Sequence, residues 1–242
     1  MDGYRERLQK LKNILLSGNV VFFGGAGVST ESGIPDFRSQ DGLYHTEYSY
    51  SPEAIVSHTF FTWNTAEFYR FYKQKMLFPN AEPNACHKAL AKLEESGKLT
   101  AIVTQNIDGL HQKAGSKKVY ELHGSVWRNF CLKCKKGHTV YEIIRSKGIP
   151  QCDCGGLIKP DVVLYEEGLD DDVVLGAVNA ISRADTLIVG GTSLVVYPAA
   201  GLLEYFRGKN LVVINRTPTS ADERADLLFS EDIGKVFADL KI

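Results

Sequence analysis

The sequence predicts an α/β protein: a parallel sheet covered by helices on both faces, with a second, smaller module inserted into it. Three observations carry that expectation. Short apolar runs alternate with helical stretches along most of the 242 residues. A glycine-rich turn follows the first of those runs. Two stretches break the alternation, and one of them holds four of the five cysteines. Strand–helix alternation implies parallel strands joined by crossover helices, and ligands in such sheets sit beyond the carboxyl ends of the strands.

Leu8, Leu11, Ile14 and Leu15 recur at helical spacing ahead of Gly18, which predicts a first helix over residues 2–17. Val20-Val21-Phe22-Phe23 then runs into Gly24-Gly25-Ala26-Gly27, a buried strand ended by glycine. Comparable runs predict strands at 101–103, 119–122, 162–164, 186–189 and 211–214. Helices are expected over 86–95, 171–182 and 198–206. Residues 36–84 are rich in aromatics and lack a clear strand, and residues 125–158 contain the clustered cysteines. The organisation expected is a sheet domain built from 1–35, 85–124 and 159–242, with 36–84 and 125–158 as the two parts of a small module.

The 28 basic and 29 acidic side chains leave a net charge of -1. That balance argues against a global nucleic-acid or membrane-surface role, since both call for a basic excess. Apolar residues at 44% and charged residues at 24% fit a folded globular chain. No apolar run approaches the roughly 18 residues needed to span a bilayer. The N-terminal stretch is charged and amphipathic, without a secretory hydrophobic core, so the expected location is the cytoplasm. With no long terminal extension, a monomer is expected.

Cys131 and Cys134 are two residues apart, and Cys152 and Cys154 one residue apart, with seventeen residues between the pairs. Four thiolates on two knuckles match tetrahedral zinc with no open coordination position, hence a structural ion. Disulfides or a redox pair are the alternatives, and a cytoplasmic chain disfavours them. Cys86, at the start of a helix among small residues, reads as a buried hydrophobe, with a reactive thiol as the alternative.

The turn Gly24-Gly25-Ala26-Gly27-Val28-Ser29 is expected to open a helix and to let backbone N–H groups approach a phosphate. A plain tight turn is the competing reading. The usual dinucleotide fingerprint is not met: Thr30 stands at the third glycine, and His45 stands about 20 residues beyond Gly25 where an acid would hold the ribose. Hydride transfer is therefore unsupported. Two further strand ends carry polar runs, Thr104-Gln105-Asn106-Ile107-Asp108 and His123-Gly124-Ser125. Gln, Asn and Asp there can recognise ribose hydroxyls and an amide, and a histidine can act as general base.

Together these residues resemble the sirtuins, the Sir2-type NAD-dependent protein deacylases. The resemblance rests on GAGVSTESGIPDFRS (25–39), TQNIDGLHQKAG (104–115), LHGS (122–125), the four cysteines, KPDVVLYEE (159–167), GTSLVVYPAA (191–200) and VINR (213–216), in the family's order. It implies a Rossmann-like domain with a helical and zinc-binding module, using NAD and one structural zinc ion. The resemblance places Ala26, Ser29, Thr30 and Arg38 near the NAD phosphates and sets Phe37 over the reacting ribose carbon. It assigns Ile107 and Asp108 to the nicotinamide, and Gln105 and Asn106 to its ribose and an ordered water. Thr192 and Ser193 fall to the phosphates and adenine ribose, Asn215 to the adenosine ribose, and Asp232 and Ile233 to the adenine side. Acyl-lysine peptide is implied to add as a strand between Val163, Leu164, Tyr165 and Glu166 on one side and Val195, Val196 and Tyr197 on the other. By the same resemblance, the acyl oxygen attacks the ribose carbon as nicotinamide leaves, and His123 then removes a proton from a ribose hydroxyl. Acyl-lysine proteins or peptides are the partners implied, without direct nucleic-acid or membrane contact.

The chain departs from the family in places. Gly24 replaces a common threonine, and Glu166 stands where many members carry glycine, adding a negative charge beside the peptide strand. Desuccinylating relatives carry Tyr-x-x-Arg in the acyl pocket; here Tyr69 fits but Tyr72 takes the arginine's place, and Arg70 is two positions off. Uncharged acyl groups are therefore expected to be preferred over succinyl. Mono-ADP-ribosyl transfer and a non-catalytic NAD-sensing module are the alternative functions, the latter disfavoured by His123, Asn106 and Asp108 together.

Overall fold

The computed structural model describes residues 2–36 and 50–242. Helix α1, Asp2–Ser17, spans the expected residues. It leads into β1 (Val20–Gly24), the middle of a six-stranded, all-parallel sheet. β2 (Leu99–Thr104) and β3 (Val119–Glu121) lie to one side, and β7 (Thr186–Gly190), β8 (Asn210–Ile214) and β9 (Leu227–Phe229) to the other. The order β3-β2-β1-β7-β8-β9 reverses direction between β1 and β7. A crevice opens at the carboxyl ends of strands at such a switch point.

Period-2 alternation explains why the strands read as continuous apolar runs. Val20 and Phe22 enter one core with Leu11, Leu15, Leu90 and Phe237, while Val21 and Phe23 enter the other with Ala177, Ile181 and Leu203. The first core is closed by α1, α5 (Ala85–Glu95) and α9 (Ile233–Leu240), the second by α8 (Asp171–Arg183) and the turn-rich stretch after β7. Each fully buried Phe or Ile contributes roughly 2–3 kcal/mol.

The small module joins the two insertions in one core. Helices α2 (Pro52–Ile55), α3 (His58–Trp63) and α4 (Thr65–Lys75) supply Phe60, Phe61, Phe68, Tyr69, Phe71 and Tyr72. The antiparallel sheet of β4 (Gly124–Cys131), β5 (Gly137–His138) and β6 (Ile158–Val162), together with α7 (Val140–Arg145), adds Val126, Val140, Ile143, Ile158 and Val162. A short helix α6 (Leu110–Lys113) follows β2.

Three expectations need correction, and one strand was not expected. The apolar run at 162–164 is not a strand of the parallel sheet: β6 pairs antiparallel with β4, and Val163 and Leu164 lie beyond its end. Apolar alternation alone cannot tell which of two sheets a short strand joins. The glycine turn opens no regular helix but two 3₁₀ turns, Ala26–Val28 and Thr30–Ser32. Its Gly25 and Gly27 N–H groups donate to the Gly190 and Gly191 carbonyls, tying the turn to the end of β7. The helix expected at 198–206 is a 3₁₀ stretch, Ala199–Tyr205, with Gly201 weakening any α-helix there. Strand β9 went unpredicted, because three residues with one exposed side chain give no usable pattern.

Candidate active site

The switch-point crevice is a cavity of about 450 Å³, a size suited to a cofactor-sized ligand. Gly25 and Gly27 make it possible. A Cβ on Gly25 would come within 2.8 Å of the Thr192 Cβ, and one on Gly27 within 2.9 Å of the Gly191 Cα. The loops after β1 and β7 can meet only because both positions are glycine. The Ala26 N–H at this junction has no acceptor in the described chain. Turns this short carry little macrodipole, so a phosphate here would be held by individual N–H groups and side chains.

Behind the turn lies a chain of polar bonds. Asn106 donates from Nδ2 to the Ser29 hydroxyl (3.1 Å), which donates to Asp108 Oδ2 (2.7 Å), while Asp108 Oδ1 accepts from the Leu110 N–H (2.8 Å). Burial raises the Asp108 pKa, and the Leu110 and Ser29 donors pull it back. The Ser29 hydroxyl is thus used inside the protein, positioning Asn106 and Asp108. From β4, the Trp127 indole donates to the Asp108 carbonyl (2.7 Å), and the Val126 N–H to the Ile107 carbonyl (3.0 Å). Gln105 donates from Nε2 to the Thr192 hydroxyl (3.0 Å), bracing the end of β2 against the end of β7.

His123 sits between β3 and β4. Its Nδ1 lies 2.9 Å from the Gln105 carbonyl, which can only accept, so Nδ1 carries the proton. Nε2 is left with the lone pair and has no hydrogen-bond partner among the described residues, and His123 lines the cavity. Burial lowers the His123 pKa below its ordinary 6.5, and the carbonyl partially restores it. The ring is therefore neutral at neutral pH, in the tautomer a general base requires. Gly124 is obligatory beside it: φ is +72°, and a Cβ would lie 1.9 Å from the Asp161 carbonyl oxygen of β6.

Nearly all the expected ligand residues meet in this cavity. Ala26, Ser29, Thr30, Gln105, Asn106, Ile107, Asp108 and His123 line one part of it. Thr192, Ser193, Asn215, Asp232 and Ile233 line another, and Val163, Leu164, Tyr165, Glu166, Val196 and Tyr197 line the mouth. Val195 lies just outside, 53% exposed. Phe37 and Arg38 lie outside the described residues. Asn215 turns its amide onto Thr217. The mouth has free strand edges: the Val163 carbonyl and both backbone groups of Glu166 and Val195 make no hydrogen bond within the described chain. Tyr165 is engaged instead, donating to Val56 and accepting from His58. Glu166 holds φ at +76°, and its carboxylate accepts the Thr59 N–H (2.8 Å) at the start of α3. That bond offsets a backbone strain of about 1 kcal/mol.

Sequence reading missed several contributors. Val56, Lys75, Met76 and Phe78 from the helical part also line the cavity, as do Glu31 and Arg216. Asn84 caps α5 through Cys86 and His87 and donates to the Val28 carbonyl (2.7 Å), fixing the glycine turn. An Asn before an apolar helix was a readable cap signal, but its second bond was not.

The four cysteine sulfurs all lie within 4.8 Å of one another. The Cys131–Cys154 and Cys134–Cys152 separations are 3.5 and 3.7 Å, too long for disulfides. They match the spacing of about 3.8 Å that Zn–S bonds of ~2.3 Å produce in a tetrahedron. The Cys134 N–H also points to the Cys131 sulfur (3.4 Å), as a thiolate favours. One structural zinc fits this donor set. Cys86 is fully buried, and burial drives its thiol pKa well up, so it is a core residue and not a nucleophile.

Two buried imidazoles sit behind the Asp108 loop, His87 on α5 and His111 on α6, with ring centroids 4.7 Å apart. Among the described residues, neither His111 nitrogen nor His87 Nε2 has a partner. Burial lowers His87 to about 4 and His111 well below its ordinary value. Unfolding lets both take up protons near pH 6.5, so their stabilising effect is complete above that pH and is lost as pH falls through it. Urea unfolding at pH 7 and pH 5 should show a loss on the order of 3–4 kcal/mol from this pair. A flat profile would contradict buried neutral imidazoles.

Comparison with known proteins agrees with this geometry. The model of the Sir2 family matches residues 25–198. A Clostridium perfringens protein named NAD-dependent protein deacetylase is 63% identical over 239 residues, covering 96% of this chain and 97% of its own. A Clostridium acetobutylicum protein of the same name is 61% identical over 236 residues, 96% of each chain. Among solved structures, one described as Sir2 with p53 peptide and NAD+ superposes with a TM-score of 0.84 at 40% identity, over 96% of both chains. Another, a Sir2 variant with deacetylated p53 peptide and 3'-O-acetyl ADP-ribose, gives 0.88 at 42%, again over 96% of both.

Proposed function

The chain belongs to the Sir2 family, and on that premise we propose that it is an NAD-dependent protein-lysine deacetylase. It moves the acetyl group from lysine to ADP-ribose and releases nicotinamide. The observation that carries the reading is His123, held neutral by the Gln105 carbonyl with Nε2 free, in the same cavity as the Asn106–Ser29–Asp108 chain.

NAD is consumed as a substrate and supplies an electrophilic ribose carbon. Asp108 and Ile107 hold the nicotinamide carboxamide, and Asn106 orients the ribose side and a water. Nε2 of His123 takes a proton from a ribose hydroxyl, and the Gln105 carbonyl stabilises the resulting imidazolium through Nδ1. Phe37 shields the ribose carbon, and Ala26, Thr30 and Arg38 hold the phosphates. Peptide adds as a strand to the free edges at Val163, Glu166 and Val195. The zinc ion takes no part in the chemistry, since four thiolates fill its shell. The reading includes a cytoplasmic monomer that contacts neither nucleic acid nor membrane. Among the described residues, no helix is long and apolar enough to cross a membrane. Mass spectrometry of an acetyl-lysine peptide incubated with and without NAD tests the reading. Loss of the acetyl group only with NAD is expected, and an intact peptide in both would refute it.

Acyl preference follows from α4. Tyr69 bonds to the Ile158 carbonyl, Tyr72 is fully buried, and Arg70 faces outward onto Glu67. No guanidinium from this helix enters the cavity. Lys75 does line it, but an ammonium lacks the paired donors that fit a carboxylate. Acetyl-lysine should be turned over at least about tenfold more efficiently than succinyl-lysine, as expected when a carboxylate enters without its charge-assisted partner. Competition kinetics with the two peptides would check this, and faster succinyl turnover would overturn it.

A further inference from the structure

We propose that Glu31 is a positioning residue for the adenine end of the NAD site, acting as the missing cap of α9. The inference rests on the NAD-dependent reading above. Helix α9 begins at the cavity, where Asp232 and Ile233 line the wall. Asp232 occupies the N-cap position but makes no side-chain bond to the helix; its carboxylate lies 3.5 Å from the Arg216 guanidinium instead. The first-turn N–H groups of α9 are thus left without their usual acceptor.

Glu31 fills that role from 203 residues away: its Oε2 accepts the Gly234 N–H at 2.6 Å. A carboxylate at a helix N-terminus is also favoured by the helix dipole. The two positions are matched. A Cβ on Gly234 would fall 2.3 Å from the Glu31 Oε2 and 2.7 Å from its Cδ, so any side chain there expels the carboxylate. Glu31 itself belongs to the Thr30–Ser32 turn that directly follows the glycine turn. One bond therefore ties the phosphate side of the cavity to its adenine side. Capping from a distance also leaves the Asp232 and Arg216 side chains at the cavity wall. Ile233 extends the coupling, because its Cδ1 fills the space a Cβ on Gly190 would occupy at the end of β7.

Calorimetric binding of ADP-ribose, which carries the adenine end but no nicotinamide, tests the inference without requiring turnover. Glu31→Ala should weaken ADP-ribose about five- to tenfold, the scale of a lost helix cap. Glu31→Gln, whose amide oxygen still accepts, should stay within about threefold of wild type. Gly234→Ala keeps Glu31 but fills its space, and should match Glu31→Ala. Inhibition by free nicotinamide should move less than about twofold in all three, since its pocket is built by Asp108 and Ile107 on another element. Wild-type affinity in Glu31→Ala, equal losses in the Gln and Ala variants, or a parallel loss of nicotinamide inhibition would each overturn the proposal. A wild-type chain that binds ADP-ribose yet deacetylates nothing would remove the deacetylase reading and leave this test standing.

Discussion

His123→Ala is expected to lower NAD-dependent deacetylation by about 10²- to 10⁴-fold, the usual contribution of a positioned general base. The loss should appear in product formation more than in binding. Nδ1 is committed to the Gln105 carbonyl, so the ring adds a proton acceptor to the cavity and little else. In the proposed sequence the imidazole acts after the nicotinamide bond opens, so nicotinamide release should survive better than release of free lysine. Burial lowers the ring's pKa below 6.5, which places the acid limb of the wild-type profile below that value too. Single-turnover measurements of both products would resolve the steps. Deacetylation within about threefold of wild type would remove His123 from the base's role.

Loss of zinc should be as damaging, although the ion lies outside the chemistry. Structural zinc sites in small modules are worth about 10–16 kcal/mol in apparent binding energy, far more than the segment's own core can replace. The route to the active site is β4. That strand ends at the zinc ligand Cys131 and begins at Gly124, next to His123. Between them, Val126 and Trp127 hold the Ile107 and Asp108 backbone. A Cys131→Ser and Cys134→Ser double variant should lose its metal and nearly all activity, at least about 50-fold, while much of the parallel sheet persists. Metal analysis, circular dichroism and turnover on one preparation would check all three. Full activity without zinc would show that β4 does not depend on the clasp.

How much of this was legible in the sequence varied with the physics. Strands buried on both faces, such as β1 and β7, read clearly because every residue is apolar and glycine ends the run. Helices with strong caps, such as α5 and α8, were placed to within a residue. The apolar run at 162–164 was assigned to the parallel sheet because such a run looks alike whichever sheet it enters; only Val162 lies in β6. The 3₁₀ turns after β1 could not be read, since they arise from bonds to Gly190 and Gly191 more than 160 positions away. In the site, most of the expected residues line one cavity, but their bonds depend on long-range partners. Ser29 was expected near the phosphates, and its link between Asn106 and Asp108 was not readable. Glu166 reads as a negative charge beside the peptide strand, and its bond to the Thr59 N–H at the start of α3 was not readable. Glu31 carried no signal at all until Gly234 was brought against it.

The central claim is that one cavity couples NAD cleavage to lysine deacetylation through His123. Product stoichiometry tests it most directly. With NAD and an acetyl-lysine peptide, one nicotinamide and one O-acetyl-ADP-ribose should form for each lysine freed. Nicotinamide release with ADP-ribose attached to the peptide, or without any lysine freed, would contradict it.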